Sequence, residues 1–285
     1  MSIPTVLVTG ANGHLGRLVT AALAGRPVRV IAASRDPLKL ADLGVETRRA
    51  DFDAPASLDL AFAGVDRLLI ISTDSLGTGQ RLDQHLAAVA AAQRAGVKHV
   101  IYTSMPNPEG SAVTFAGDHL GTENAIKASG IPYTILRNTW YQENLFMALP
   151  PALASGQWYS ATGEGRISHI ARADCAAAAA AALLAPPLNQ TLTLTGPEAL
   201  TTQQIATLTT RITGRPLQVI NVTDEQLAGG LRHAGLPEAI IPMLVSFDTN
   251  TRQGGFDVVT DAVATLTGRA PTPLAAFLEA NKANY

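Results

Sequence analysis

The sequence predicts an α/β protein: a doubly wound parallel sheet carrying a smaller, mixed α/β C-terminal lobe. Three features predict it. An apolar run, Val6-Leu7-Val8, leads directly into Gly10, Gly13 and Gly16. Continuous apolar strands then alternate with amphipathic helices as far as Trp140, the pattern of a parallel sheet covered on both faces. Beyond Trp140 the rhythm breaks into short strands and helices punctuated by Pro150-Pro151, Pro186-Pro187, Pro237 and Pro271.

The elements follow in order. After the glycines, Leu15, Leu18, Val19, Ala22 and Leu23 recur at helical spacing, and Val28 to Ala33 forms the second strand. The third ends at Asp51-Phe52. Val65 to Ser72, with Leu68-Leu69-Ile70-Ile71 at its centre, reads as a fully buried fourth strand. Leu82, Leu86, Val89 and Ala90 mark a long helix closed by Gly96, and Val97 to Ser104 returns as a strand. Asp118 to Ser129 is helical until Gly130 stops it, and Ile131 to Asn138 is the sixth strand. Further on, Cys175 to Ala185 reads as a thin, close-packing buried helix between Asp174 and Pro186-Pro187. Thr191 to Thr195 and Leu217 to Val222 read as short strands of the lobe. The expected division is a dinucleotide-binding domain over 1–140 and a substrate lobe over 141–285, with some lobe segments returning to the sheet domain.

Composition narrows the partners. The 285 residues, 47% of them hydrophobic, suffice for one large or two intimately joined domains. A formal net charge of -2 argues against nucleic acid, whose phosphates select basic faces. The single cysteine, Cys175, excludes an internal disulfide and a cysteine-rich metal site, and suits a reducing compartment. No cluster of His, Cys and carboxylates has metal-ligand spacing. The N-terminus lacks a basic-then-apolar leader, and the longest small-apolar run falls short of the roughly 20 residues of a membrane span. The expectation is a cytoplasmic monomer or homodimer, with neither metal, nucleic acid nor membrane as a partner.

Glycines between a strand and a helix let the backbone turn tightly and approach a pyrophosphate. The helix N-terminus then meets it with oriented N–H groups and partial positive charge. Gly10, Asn12, Gly13, His14, Leu15 and Gly16 are therefore the expected cradle of a Rossmann-type domain, with Asn12 suited to a left-handed turn. The Gly-x-x-Gly-x-x-Gly spacing is one residue wider at the front than the usual dinucleotide fingerprint. At the end of the second strand stands Arg35, with Lys39 one helical turn on. A basic residue there accommodates the 2′-phosphate of NADPH, where an acidic one would take the ribose hydroxyl of NADH. NADPH is the expected cofactor and NADH the weaker alternative, although Asp36 adjoins Arg35.

Ligands of open α/β sheets bind beyond the carboxyl ends of the strands. That rule sets Asp51 against an adenine amino group with Phe52 beside the ring, and Ser72, Thr73 and Asp74 along the ribose-phosphate. Thr103, Asn138 and Thr139 complete the row of polar strand ends. Each also suits a helix N-cap, Asp74 most of all.

The segments TGANGHLG, AASRDPLK, RRADFDAPASL, GVDRLLIIS, AGVKHVIYTS, SGIPYTILRNTWYQENL and RADCAAAAAA together resemble the NmrA-like group of atypical short-chain dehydrogenase/reductases. Within it the chain looks most like the bacterial type 2 quinone oxidoreductases, with triphenylmethane reductases close behind; LRNTWYQEN is the most specific part. The resemblance implies NADPH held by Gly10 to Gly16, Arg35, Ser72 to Asp74 and the segment Asn138 to Glu143, which includes Trp140 and Tyr141. It also implies flavin-free hydride transfer to a planar, quinone-like acceptor. Reduction of azo or triphenylmethane dyes, or a redox sensor without turnover, are the alternatives.

One departure from the wider superfamily bears on the reaction. Its main branch uses a Tyr-x-x-x-Lys pair as proton donor, whereas Tyr102, Tyr133, Tyr141 and Tyr159 are followed four residues later by Pro106, Arg137, Leu145 and Gly163. His119 stands in the helix where that branch carries its lysine. The expected reaction residues are Tyr141 and Asn144, either able to bond a quinone oxygen, and His119 as a proton donor. Trp140 and Tyr141 equally suit a core joining the two lobes, and His119 equally suits a helix surface. His14 and His85 are assigned no chemistry, and Cys175 is expected to be buried and inert.

Overall fold

The computed structural model describes residues 3–75 and 79–285. Its first half runs β1 (Thr5–Val8), α1 (His14–Ala22), β2 (Arg29–Ser34), β3 (Glu46–Arg49), α2 (Pro55–Phe62), β4 (Arg67–Ile70), α3 (Gln80–Arg94), β5 (His99–Ser104), α4 (Ala116–Ala128) and β6 (Tyr133–Asn138). The second half continues α5 (Leu145–Ser155), β7 (Gln157–Ser160), β8 (Arg166–Ile167), α6 (Arg172–Leu184), β9 (Gln190–Leu194), β10 (Leu200–Thr201), α7 (Thr202–Thr213) and β11 (Gln218–Asn221). Helices α8 (Asp224–His233), α9 (Ile241–Arg252), α10 (Ala262–Thr267) and α11 (Leu274–Ala280) close the chain.

The central sheet has seven strands in the order β3-β2-β1-β4-β5-β6-β9, paired in parallel throughout. Strand order reverses between β1 and β4, which opens a crevice past their carboxyl ends. Successive side chains of a strand point to opposite faces, so β1 feeds two cores. Val6 and Val8 pack with Leu15, Val19 and the alanines of α6, while Leu7 packs with Phe62, Leu68 and Tyr102 under α2, α3 and α4. The short side chains of α6 let it lie close to α1.

A third core fills the lobe, where Leu149, Ile205, Phe256 and Phe277 meet Met105, Val113 and Ala116 from the segment that follows β5. The sheet domain thus contributes directly to the lobe's interior. The strand expected near Thr191–Thr195 does not belong to the lobe: as β9 it pairs with β6, Thr134 opposite Gln190 to Asn138 opposite Leu194. The other short strand, β11, does lie in the lobe and pairs with β7.

Candidate functional site

The glycine loop closes on itself. Gly10 adopts φ +59°, the left-handed conformation, so the turn residue is Gly10 and not Asn12. Its carbonyl accepts the Gly13 N–H at 2.9 Å. A Cβ on Gly16 would lie 2.4 Å from the Gly10 carbonyl oxygen and 2.6 Å from Ala11 Cα, so only glycine lets α1 sit this close to the loop. The loop is pinned from both sides: Ala11 N–H donates to Ala33 O at 3.0 Å, and Thr9 Oγ1 accepts the Ile71 N–H at 3.0 Å. No side chain among the described residues caps α1, which leaves the N–H groups of its first turn for an anion. Leu15 is buried in the core beneath, and His14 is exposed.

The loop forms the wall of a cleft of about 560 Å³. At one end stand Arg35 and Lys39, both exposed. Asp36 is occupied locally, since its Oδ1 accepts the Leu38 N–H at 3.1 Å and caps a short 3-10 turn. The opposite wall carries Phe52, Asp53 and Gln84. Asp51 does not line the cleft. Its carboxylate pairs with Arg49 at 3.2 Å and accepts the Asp53 N–H, so the carboxylate presented beside Phe52 is that of Asp53, held by Gln84 Nε2 at 2.9 Å.

Ser72, Thr73, Asp74 and Ser75 line the third side. The fully buried layer beneath fixes their backbone. Thr103 Oγ1 accepts the Ser72 N–H at 2.9 Å, which places Thr103 under the cleft and not in its wall. Nε2 of His85 accepts the Thr73 N–H at 3.0 Å, so its proton sits on Nδ1, facing Thr122 Oγ1 at 2.9 Å. With His85 Nδ1 a donor, the Tyr102 hydroxyl has His119 Nδ1 as its acceptor, at 2.7 Å. Burial, with the Arg81 charge nearby, pushes both histidines down to about 3. His119 is thus buried, neither on a helix surface nor poised as the readily titrating proton donor the sequence suggests: its Nδ1 accepts from Tyr102, and burial opposes the imidazolium. Burial also raises Tyr102 far above its ordinary value.

The segment after β6 splits. Trp140 turns to the lobe and packs at a tilt against Phe247 with ring centroids 3.9 Å apart, and Tyr141 packs against the sheet core. Asn138 Nδ2 donates to the Tyr141 hydroxyl at 3.2 Å, while Asn138 Oδ1 is buried without a hydrogen-bond partner among the described residues. Two expected cofactor contacts are otherwise engaged. Thr139 Oγ1 lies buried against the Ser168 carbonyl at 2.6 Å, and both Glu143 oxygens accept the Arg172 N–H at the start of α6, at 3.1 and 3.0 Å. Asn144 is half-buried just ahead of α5.

Arg81 had no signal in the sequence, since an arginine in the first turn of a helix is by default a solvated one. It is 6% exposed, and its guanidinium lies 4.3 Å from the centre of the Phe115 ring. Gln84 and Asp53 were likewise invisible, because their meeting depends on how α3 packs beside the end of β3. Among the described residues there is no group of three metal-ligating side chains, and no helix is long and apolar enough to cross a membrane.

Known proteins share this architecture over its whole extent. Quinone oxidoreductase 2 of Escherichia coli K12 is 36% identical over 276 residues, 95% of this chain and 96% of its own. The crystal structure of the E. coli NADPH-dependent quinone oxidoreductase with NADPH superposes with a TM-score of 0.92 at 35% identity, covering 96% of this chain and 99% of that one. The Citrobacter sp. triphenylmethane reductase complexed with NADP(H) gives 0.91 at 33% identity, covering 96% and 99%. The NmrA-like family profile matches residues 3–278, and the chain belongs to the NmrA-like family.

Proposed function

We propose that this protein is an NADPH-dependent oxidoreductase that passes hydride directly to a quinone-like acceptor without flavin. The cleft fits the cofactor. Gly10, Gly13 and the uncapped first turn of α1 hold the diphosphate, Arg35 and Lys39 the 2′-phosphate, and Phe52 with the Asp53–Gln84 pair the adenine. Ser72, Thr73 and Asp74 flank the ribose, and Asn138 Oδ1, unpartnered among the described residues, offers with the Tyr141 hydroxyl polar groups at the end of β6. Bound NADPH supplies the hydride. This chain's contribution is positioning and exclusion of water, which in oriented pairs replaces a large part of a bimolecular barrier.

The observation that carries the acceptor is the want of an acid. Tyr102 and His119 are buried and bonded to each other, burial holds Tyr141 above its ordinary pKa, and no lysine follows a tyrosine at the fourth position. Reduction of an unactivated carbonyl would leave an alkoxide with no lysine-activated tyrosine to protonate it. A quinone becomes an aromatic hydroquinone monoanion and takes its proton from water. The full-length likeness to quinone oxidoreductase 2 supports the same acceptor. NADPH oxidation measured against a panel of benzoquinones, without added FMN or FAD, should exceed the uncatalysed rate and yield one hydroquinone per NADPH. Tight NADPH binding with no quinone turnover above background would overturn the assignment.

A further inference from the structure

We propose that Arg81 determines acceptor specificity, by stabilising the negative charge that develops on a quinone oxygen and by opposing cationic acceptors. The inference rests on the quinone reading above.

Arg81 opens α3, directly beyond the Ser72–Ser75 wall of the cleft. Its Nη2 donates to the Ser75 carbonyl at 3.1 Å, and its guanidinium covers the Phe115 ring. Phe115 in turn meets Phe247 at 5.9 Å between centroids, and Phe247 packs at a tilt against Trp140. The guanidinium therefore lies behind the cleft wall, between the Ser75 carbonyl and the Phe115–Phe247–Trp140 aromatic group, from where its charge reaches the cleft as a field. A buried cation is costly unless it is paired. Yet no carboxylate among the described residues lies within ion-pair distance of Arg81, and its buried Nε has no hydrogen-bond partner among them. The fields of Asp74 and Asp118 reach it, but burial dominates and lowers its pKa. A permanent, forked donor kept dry and under-satisfied is suited to an oxyanion.

The charge balance separates two acceptor classes. A quinone and NADPH give a hydroquinone monoanion and NADP+, and one proton from water completes the hydroquinone. A cationic triphenylmethane dye accepts the same hydride and becomes neutral, so no anion forms. A fixed positive charge favours the first reaction along its whole course, and opposes entry of the second acceptor.

The test uses protein saturated with NADP+, titrated calorimetrically with 4-nitrophenolate as a stand-in for the hydroquinone monoanion and with neutral nitrobenzene as control. The wild type should bind the phenolate at least about tenfold tighter than nitrobenzene, the lower edge of what a charge-assisted bond supplies. Arg81→Met should lose about ten- to a hundredfold in phenolate affinity, with nitrobenzene binding little changed. Its kcat/KM should fall for benzoquinone while holding or rising for crystal violet. Arg81→Lys, which keeps the charge and loses the fork, should fall between for phenolate and still disfavour the dye. Equal binding of phenolate and nitrobenzene by the wild type, a result that does not depend on any variant folding, would overturn the proposal. So would unchanged phenolate affinity in Arg81→Met. Wild-type protein that shows the phenolate preference yet turns over no quinone would sink the functional reading and leave the anion site standing.

Discussion

At the scale of single residues, cofactor preference comes down to which of two neighbouring charges is free. Arg35 and Asp36 adjoin at the end of β2, and their order alone leaves the preference ambiguous. The structure separates the two: Asp36 accepts the Leu38 N–H, whereas Arg35 makes no side-chain hydrogen bond or ion pair among the described residues and lines the cleft beside Lys39. Nearby Arg17 is already engaged, donating to Asp42 at 2.6 Å and to the Lys39 carbonyl at 2.6 Å, so it braces the turn and does not compete for the ligand. Arg35→Ala should weaken NADPH by about ten- to a hundredfold, the loss of a charge-assisted phosphate contact, and leave NADH within about twofold. Fluorescence titration with both cofactors checks this, and equal weakening of the two would remove Arg35 from the phosphate. Gly10 shows the complementary limit. The glycine spacing signals a tight turn, but it does not say which residue takes the positive φ, which in the structure is Gly10 at +59°.

At the scale of elements, the strands buried on both faces were legible because their apolar runs are unbroken and end in small polar residues. β9 was legible as a strand but not as a member of the main sheet. Its sequence, Gln-Thr-Leu-Thr-Leu, alternates as expected for an edge strand, and alternation carries no record of the partner, which lies some fifty residues away in β6. The same non-locality hid the work of Glu143. Both its oxygens receive the Arg172 N–H, so a side chain from the turn after β6 caps α6, beside the bridge of Tyr141 with Ile170. Glu143→Ala should cost about 0.5–2 kcal/mol, the usual range for a lost helix cap, and lower Tm by about 2–4 °C per kcal/mol in a chain of this size. Glu143→Gln, which keeps an acceptor oxygen, should recover most of the loss in thermal melts. Equal destabilisation by both variants would mean that the carboxylate's charge, and not the cap, is what counts.

For the molecule as a whole, buried histidines set how stability responds to acid. His85 and His119 are held down to about 3, and His99 and His169 to about 4, in each case chiefly by burial. The unfolded chain protonates these side chains from about pH 6.5 downward, while the folded chain does not until its lower values are reached. Stability is therefore full above about pH 6.5 and is lost progressively as pH falls toward 4 and then 3. Each histidine contributes a slope of about 1.4 kcal/mol per pH unit once its unfolded form is charged. His99 isolates the effect, because it lies at the start of β5, bonded to Thr134, away from the cleft. Its Nδ1 is buried without a partner among the described residues, so protonation there would add an unsatisfied charge. Urea unfolding between pH 6 and 5 measures the proton uptake directly. His99→Gln should reduce that uptake by about one proton while leaving NADPH affinity at pH 7 unchanged. An identical slope in wild type and variant would show that His99 is protonated in the folded state, and that the acid response arises elsewhere.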